Sequence, residues 1–404
     1  MKKPELLSPA GTLKNMRYAF AYGADAVYAG QPRYSLRVRQ NDFNKLNNLA
    51  QAIDEAHALT KQFYVACNIL PHNTKLKTFI DDITPIIEMQ PDALIMADPG
   101  LIMIVRERWP QMPIHLSVQA NTTNYAAVQF WQNLGISRII LSRELSLEEI
   151  AEIRQACPDI ELEVFVHGAL CIAYSGRCLL SGYLNHRDAN QGSCTNACRW
   201  DYKVLEEKQR PGEYMPIYED EQGTYIMNSK DLRAVQHVGR LIEIGIDSLK
   251  IEGRTKSHYY AARTAQVYRQ AIDEAEQPFD KNLMLELEKL ANRGYTEGFY
   301  RRHLPSEYQN YNSSKNPYQQ FVGEVLAYNQ QTKLLEIDVK NHFELGDSLE
   351  LIHPQGNLRF TLEHLENQQG ENISIAPGSG HTVHIRAPVQ NAENWGLLCK
   401  YLKQ

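Results

Sequence analysis

The 404-residue sequence lacks an excess of positive charge and lacks long apolar runs. Its 42 Lys and Arg residues against 48 Asp and Glu residues give a net charge of −6, which excludes the strongly basic class of nucleic-acid-binding proteins. No apolar run approaches the ~20 residues that span a bilayer, and no apolar segment follows the lysines near the N-terminus. We therefore expect a cytoplasmic protein with no membrane partner.

Two common protease motifs are also absent. The 13 histidines include no His-Glu-x2-His zinc motif, and there is no Gly-x-Ser-x-Gly nucleophile elbow. A Cys171 thiolate with His167 as its base is an open alternative, because a cysteine nucleophile needs only a nearby imidazole. Metal ligation would compete for that thiolate, so a peptidase is the second hypothesis for this chain.

Short apolar runs alternate with amphipathic stretches through the first 300 residues. Near-continuous apolar strands that alternate with helices indicate a parallel sheet covered on both faces. Since eight such runs are present, we predict an α/β fold built as a (β/α)8 barrel, with a doubly wound sheet as the alternative. The runs are residues 5–8, 25–28, 63–66, 93–96, 114–118, 138–141, 163–166 and 248–251.

The sequence divides into a catalytic region and a smaller C-terminal region. We predict a barrel domain at 1–305, with an insertion at 171–240 after its seventh strand. In a barrel, such an insertion lies on the carboxyl-terminal face, where active sites form. Residues 306–320 are polar and indicate a linker, and short alternating strands in 321–404 predict a C-terminal all-β barrel domain or sandwich.

Four of the seven cysteines lie within 28 residues. Their spacing is Cys171-x6-Cys178-x15-Cys194-x3-Cys198. Clustered cysteines in a cytosolic protein more often bind metal than form disulfides. Four thiolates can hold an iron–sulfur cluster or close a zinc site, and the absence of Cys-x2-Cys knuckles favours the cluster, with zinc as the alternative metal. A radical-SAM motif is excluded, because Asp201 stands where its third cysteine belongs.

The residues around these cysteines resemble a known family. From Glu163 to Ser181 the sequence matches the signature of the collagenase-like peptidase family, with Gly168-Ala169-Leu170-Cys171 at its centre. Segments elsewhere are also similar to that family, namely 5–11, 23–30 and 251–254, and three more are similar to its tRNA-modifying members, namely 115–121, 141–150 and 209–214.

The resemblance implies an enzyme that hydroxylates the wobble uridine in the anticodon loop of tRNA to 5-hydroxyuridine. It also implies prephenate as co-substrate, a dependence on the iron–sulfur assembly machinery and a [4Fe–4S] cluster. By motif match the cluster ligands would be Cys171, Cys178, Cys194 and Cys198. A non-catalytic iron–sulfur scaffold protein is the third hypothesis.

Candidate substrate-binding groups follow the predicted strands. Prephenate carries two carboxylates and tRNA carries phosphates, so guanidinium forks are the groups to seek. The alternative to substrate binding is that these charged residues form solvated ion pairs, and the alternative for His167 is a purely structural role. We predict acid–base roles for His167, Glu144 and Glu252, and substrate binding by Gln119, Asn121, Arg143, Asn228, Arg254 and Lys256.

Overall fold

The computed structural model describes most of the chain outside the cysteine-rich segment. Within the described residues, no helix is both long and apolar enough to cross a bilayer. The described residues are 2–31, 33–36, 41–170, 218–220, 223–225, 230–292, 294–301, 318–389 and 394–402.

Eight parallel strands of the described region close into a barrel, which confirms the prediction. Leu249 in the last of them lies opposite Leu6 of the first and Val164 of the seventh, so the sheet has no open edge there. The strands are β1 (Glu5–Pro9), β2 (Ala26–Gly30), β3 (Gln62–Cys67), β4 (Ala93–Met96), β5 (Ile114–Leu116), β6 (Arg138–Ile140), β7 (Glu161–Ala169), β8 (Tyr218–Asp220), β9 (Gly223–Tyr225), β10 (Asp231–Arg233), β11 (Ser248–Ile251) and β12 (Tyr295–Thr296), of which β1–β7 and β11 form the barrel.

Helices that follow the strands cover the barrel. Several begin at a polar cap: the Asp98 carboxylate accepts a hydrogen bond from the Leu101 amide at 2.9 Å, and Ser146 and Glu149 form a capping box. The helices are α1 (Leu13–Ala21), α2 (Leu46–Ala58), α3 (Asn73–Glu88), α4 (Pro99–Arg108), α5 (Tyr125–Asn133), α6 (Leu147–Ala156), α7 (Val238–Ile244), α8 (His258–Asp273) and α9 (Asn282–Glu288).

Aspartates at the amino end of the barrel tie neighbouring strands together. Each lies just before one strand and accepts a hydrogen bond from a backbone N–H near the start of an adjacent strand. Because these carboxylates bind backbone groups of the barrel, we infer that residues at the amino end stabilise the fold. The pairs are Asp25 with the Leu6 N–H (2.9 Å), Asp92 with the Phe63 N–H (2.7 Å) and Asp247 with the Leu162 N–H (3.0 Å).

Strand β7 extends beyond the barrel. Its last residues pair with β10 in the antiparallel sense, with His167 opposite Arg233 and Ala169 opposite Asp231. The chain therefore leaves the barrel at Ala169 and returns beside it at Asp231. The segment between them contains the four predicted cluster ligands and starts at the carboxyl end of the barrel.

The C-terminal region forms a seven-stranded antiparallel sheet shaped as a half-barrel, in which the strand at residues 319–329 pairs with those at 334–339 and 397–401. It has an apolar core of its own, which confirms the predicted all-β domain. The strands are β13 (Gln319–Asn329), β14 (Leu334–Val339), β15 (Phe343–Glu344), β16 (Ser348–Ile352), β17 (Leu358–Thr361), β18 (Leu365–Asn367), β19 (Ile375–Ala376), β20 (Thr382–Ile385) and β21 (Leu397–Tyr401).

The half-barrel sheet packs against α1 and α8 of the barrel. The Tyr22 hydroxyl lies 2.9 Å from the carbonyl of Ile352 and 2.7 Å from that of Trp395, both in the C-terminal region. The ring of Tyr259 stacks on Phe321 with 4.9 Å between centroids. These contacts are made by helices that cover the outside of the barrel.

Candidate functional site

The predicted site residues that the structure describes lie at or near the carboxyl end of the barrel. Parallel barrel strands all end at this face, so side chains from several loops meet there. Their assignment as catalytic or substrate-binding groups stays a prediction. Gln119 and Asn121 follow β5, Arg143 and Glu144 follow β6, His167 lies in β7, and Glu252, Arg254 and Lys256 follow β11.

The contacts of Arg143 include an aromatic ring and a backbone carbonyl. Its guanidinium carbon lies 3.9 Å from the centroid of Phe165, and its Nη1 donates to the carbonyl of Ala169 at 3.2 Å. A planar guanidinium suits both contacts, since it stacks on aromatic faces and still donates in its own plane. Ala169 is the last residue of β7, so Arg143 lies where the cysteine-bearing segment begins.

Arg254 is buried beside the loop that follows β2. Its Nη1 donates to the hydroxyl of Ser35 at 2.7 Å, and its guanidinium carbon lies 5.6 Å from the ring centroid of Tyr28. Gly30 makes room for this contact, because a Cβ there would lie 2.5 Å from Nη1 of Arg254 and would also collide with Ser35. The glycine is therefore a requirement of the site.

Lys250 joins the two arginines into one group. Its ammonium is buried, 2.7 Å from a carboxylate oxygen of Glu163, 4.3 Å from the ring centroid of Tyr28 and 5.5 Å from that of Phe165. Burial lowers the pKa of Lys250, and the charge of Glu163 acts in the opposite direction. We call Tyr28, Arg143, Phe165, Lys250 and Arg254 the cation–aromatic cluster.

Buried charges continue below this cluster toward the amino end. Arg138 lies 2.6 Å from Glu5 and 3.4 Å from Glu163, and the Tyr64 hydroxyl donates to Glu5 at 2.6 Å. An open cavity of about 980 Å³ reaches Glu5, Tyr64 and Arg138 from that end. The two carboxylates offset the charges of Arg138 and Lys250, as buried cations require.

Hydrogen-bonding side chains line the ends of β3, β5 and β6. The Ser142 hydroxyl lies 2.7 Å from Oδ1 of Asn121 and also contacts Glu144. Asn121 has a left-handed backbone, with φ of 53°, which asparagine tolerates better than most residues. Asn68 Nδ2 donates to the Ser117 hydroxyl at 3.1 Å. The structure thus brings the predicted Asn121 and Glu144 together.

The ends of β7 and β11 touch each other. The carbonyl of Glu252 accepts from the Tyr260 hydroxyl at 2.7 Å, and a Cβ on Gly168, whose φ is +102°, would collide with that carbonyl. The other two predicted residues are more open. Lys256 is exposed, with its ammonium 5.5 Å from the centroid of Tyr260, and Gln119 is half-buried in a short 3-10 turn.

His167 is enclosed by tyrosines. It is 1% exposed, its Nδ1 lies 3.4 Å from the hydroxyl of Tyr268, and its ring centroid is 5.9 Å from that of Tyr260 and 5.5 Å from that of Tyr295. Burial, together with neighbouring cations, lowers the pKa of His167 to about 3. This environment fits the structural alternative better than the acid–base role, which stays a prediction.

Five of the predicted site residues lie outside the described residues. They are the predicted cluster ligands Cys171, Cys178, Cys194 and Cys198 and the predicted substrate-binding residue Asn228. Along the chain, the first of these cysteines follows the end of β7 by two residues. In the described part of the chain, no group of three or more His, Cys, Asp or Glu side chains is placed to hold a metal ion. The other cysteines are buried free thiols, at positions Cys67, Cys157 and Cys399.

The cation–aromatic cluster has the charges needed to bind an anionic group. Guanidinium forks donate in pairs to carboxylate or phosphate oxygens, and surrounding aromatic rings keep water away and strengthen each charge. Sequence reasoning found Arg143 and Arg254 but missed Lys250 and Glu163. The available signal was the presence of these two charged residues inside otherwise apolar strands.

Comparison with known proteins finds relatives that are named for RNA hydroxylation. It is 61% identical to tRNA hydroxylation protein P of Escherichia coli over 99% of this chain and 97% of that protein. It is 58% identical to the protein of the same name from Haemophilus influenzae, over 99% and 96%. A 23S rRNA 5-hydroxycytidine synthase of Escherichia coli is 35% identical over 67% of this chain and 39% of that enzyme.

Family models cover the chain in two parts. The model of peptidase family U32 matches residues 11–310, and the model of the peptidase family U32 C-terminal domain matches residues 317–398. The two matches correspond to the barrel and to the half-barrel sheet, and together they leave only short stretches uncovered. The chain therefore belongs to peptidase family U32.

Proposed function

We propose that this chain is an enzyme that hydroxylates tRNA. The observation that carries the proposal is its similarity, along nearly its whole length, to two proteins named for tRNA hydroxylation. The cation–aromatic cluster supports it, because an enzyme acting on RNA must accommodate anionic groups near its active site. The family name does not point to proteolysis here, since the proposed base His167 is enclosed by tyrosines.

The proposed reaction is hydroxylation at C5 of the wobble uridine, giving 5-hydroxyuridine, in the cytoplasm where tRNA is modified. The relative that makes 5-hydroxycytidine supports this choice, because its name places a hydroxyl at C5 of a pyrimidine. A wobble base is unpaired in the anticodon loop, so it can enter a barrel pocket without the cost of opening a duplex.

The proposed cofactor is a [4Fe–4S] cluster held by Cys171, Cys178, Cys194 and Cys198 and supplied by the iron–sulfur assembly machinery. Four thiolates are the donor set that such a cluster takes. When bound, the cluster would transfer electrons or brace the segment that carries it. Arg143, bonded to the carbonyl of Ala169, would orient substrate beside that segment.

The proposed co-substrate is prephenate, a dicarboxylate. Arg143 and Arg254 are the described groups suited to its carboxylates, because each is a guanidinium held by a ring and by a hydrogen bond. Lys250, beneath both rings, adds a buried positive charge.

The test is a comparison of tRNA nucleosides by mass spectrometry. Cells lacking this gene and any redundant route should lose 5-hydroxyuridine, and the intact gene should restore it. The variants Arg143→Ala and Arg254→Ala should restore ten- to a hundred-fold less, the effect of losing about 1.5–3 kcal/mol of charge-assisted binding. Arg108→Ala, at an exposed position of α4, is the matched control and should restore the wild-type level. Unchanged hydroxylation without the gene would refute the proposal.

A further inference from the structure

A second group of cations lies on the rim of the barrel, outside the cation–aromatic cluster. Arg33 follows β2, and Lys75 and Lys77 lie in the first half of α3, which follows β3. We call these three residues the rim cluster. Residues 31–36 and 68–80, which contain it, include no acidic residue, and Asp81 and Asp82 follow directly in α3. The strands that precede both segments end at the same face as the candidate site.

A buried tyrosine holds the rim cluster in place. Tyr34 is fully buried, and its hydroxyl lies 2.7 Å from a carboxylate oxygen of Asp82 and 3.0 Å from the carbonyl of Lys75, both on α3. Its ring packs edge-on against Phe79 with 5.1 Å between centroids. The loop after β2 is thereby fixed to α3, and Arg33 lies next to Lys75.

Carboxylates compensate the positive charges of the rim cluster only in part, because Arg33 has an ion-pair partner and Lys75 contacts a carbonyl. The ammonium of Lys75 donates to the carbonyl of Arg33 at 3.1 Å and makes no ion pair with a carboxylate of the described residues. Burial and the charge of Arg33 lower the pKa of Lys75. Arg33 pairs with Asp82 at 2.9 Å, and its side chain is still 47% exposed. Lys77 is exposed as well.

The same loop connects the rim cluster to the candidate site. Arg33 is exposed and pairs with α3, whereas Ser35, two residues later, is buried and accepts the hydrogen bond from Arg254. A polymer whose target unit enters the barrel beside Arg254 can therefore continue past this loop. A chain with negative charges at regular intervals would use both groups of cations at once.

We propose that the rim cluster binds the phosphate backbone of the RNA next to the nucleotide that enters the barrel. This inference rests on the proposed function and adds the surface that the RNA follows. Phosphate contacts position a nucleic acid without reading its sequence, and each one releases counterions. The rim cluster therefore contributes to the affinity for tRNA, and its contribution is the same for every tRNA.

Binding of unmodified tRNA at a series of salt concentrations tests the inference. The variant Arg33→Gln/Lys75→Gln/Lys77→Gln should bind more weakly, and the slope of log affinity against log salt should fall by about 1.5 to 2.5, which is two or three lost phosphate contacts. The matched control Lys2→Gln/Lys3→Gln/Lys61→Gln removes three positive charges at the amino end and should keep the wild-type slope.

The outcomes separate the inference from the proposed function. A wild-type slope in the rim variant, or an equal fall in the control, overturns the inference even where the intact gene restores 5-hydroxyuridine in cells. A protein that neither binds tRNA nor restores the nucleoside overturns both. Thermal unfolding of the rim variant should match that of the wild type, because Arg33 and Lys77 are exposed and the anchoring Tyr34 is retained.

Discussion

Lys250 and Glu163 form an ion pair 2.7 Å long inside the barrel, where neither side chain reaches solvent. Glu163 has a second cationic partner in Arg138 at 3.4 Å, whereas Glu163 is the one carboxylate of the described residues paired with Lys250. The pair is therefore asymmetric: loss of the carboxylate leaves a buried ammonium alone, but loss of the ammonium leaves a carboxylate that still has Arg138.

The asymmetry predicts unequal costs of substitution. Glu163→Gln should lower the free energy of unfolding by about 3–5 kcal/mol, because it strands a buried charge, and Lys250→Met should cost less. The double variant Glu163→Leu/Lys250→Met should be more stable than Glu163→Gln, since it removes both charges. Urea unfolding measures all three. A larger loss for Lys250→Met than for Glu163→Gln would contradict this account of the network.

Gly30→Ala should displace Arg254 from Ser35. The added methyl would lie 2.5 Å from Nη1 of Arg254, so the arginine or the loop must shift. We expect 5-hydroxyuridine in cells to fall at least ten-fold, which is the effect of losing about 1.5 kcal/mol of charge-assisted binding. Gly239→Ala is the matched control, because a Cβ there meets open helix surface with its nearest atom at 3.7 Å. Equal activity of the two variants would show that the function of Arg254 does not depend on a glycine at position 30.

Serine substitution tests the four proposed cluster ligands, because a serine hydroxyl is a poor cluster ligand. Each of the variants Cys171→Ser, Cys178→Ser, Cys194→Ser and Cys198→Ser should remove the iron and the visible absorption of the purified protein. The hydroxylation of tRNA should be lost with them. Cys157→Ser is the control, since that thiol is buried against α5 and donates to the carbonyl of Tyr125. Zinc in place of iron in anaerobically purified wild-type protein would support the alternative metal. Unchanged iron content and spectrum in all four variants would exclude the proposed ligands.

Acid should loosen the contact between the barrel and the half-barrel sheet. Glu324 of β13 is buried and lies 2.9 Å from His258 and 3.6 Å from Lys340, and it also contacts Lys14. Burial alone would raise its pKa, but His258 and Lys14 lower it to about 2, from 4.5. The stability contributed by this carboxylate is thus present above pH 4.5 and is lost as the pH falls toward 2, up to about 3 kcal/mol.

Thermal unfolding between pH 2 and pH 7 measures this contribution. Glu324→Gln should be less stable than the wild type at neutral pH and should lose less stability below pH 4.5. Glu107→Gln, at an exposed position of α4, serves as the control and should follow the wild-type profile. Identical profiles for Glu324→Gln and wild type would show that the ion pairs around Glu324 contribute nothing.

The barrel could be predicted from sequence because its strands are apolar runs at regular intervals, and residues that follow such strands meet at one face. That reasoning located Arg143 and Arg254 correctly at the carboxyl end. It could not pair Lys250 with Glu163, because their meeting depends on the register of β11 against β7, where Lys250 lies opposite Phe165. The same pairing has an irregularity where Ile251 lies opposite His167, whose ring lies among tyrosines, and no pattern in the sequence predicts that irregularity.

The two ends of the cysteine-bearing segment lie side by side in the sheet, and this has an evolutionary consequence. Ala169 and Asp231 are neighbours in the sheet, so everything between them leaves and re-enters the barrel at one point. Doubling the length of such a loop costs only about 0.6 kcal/mol in closure entropy. Insertions or deletions in this segment should therefore cost the barrel little stability, and the arginines at its carboxyl end would keep their positions.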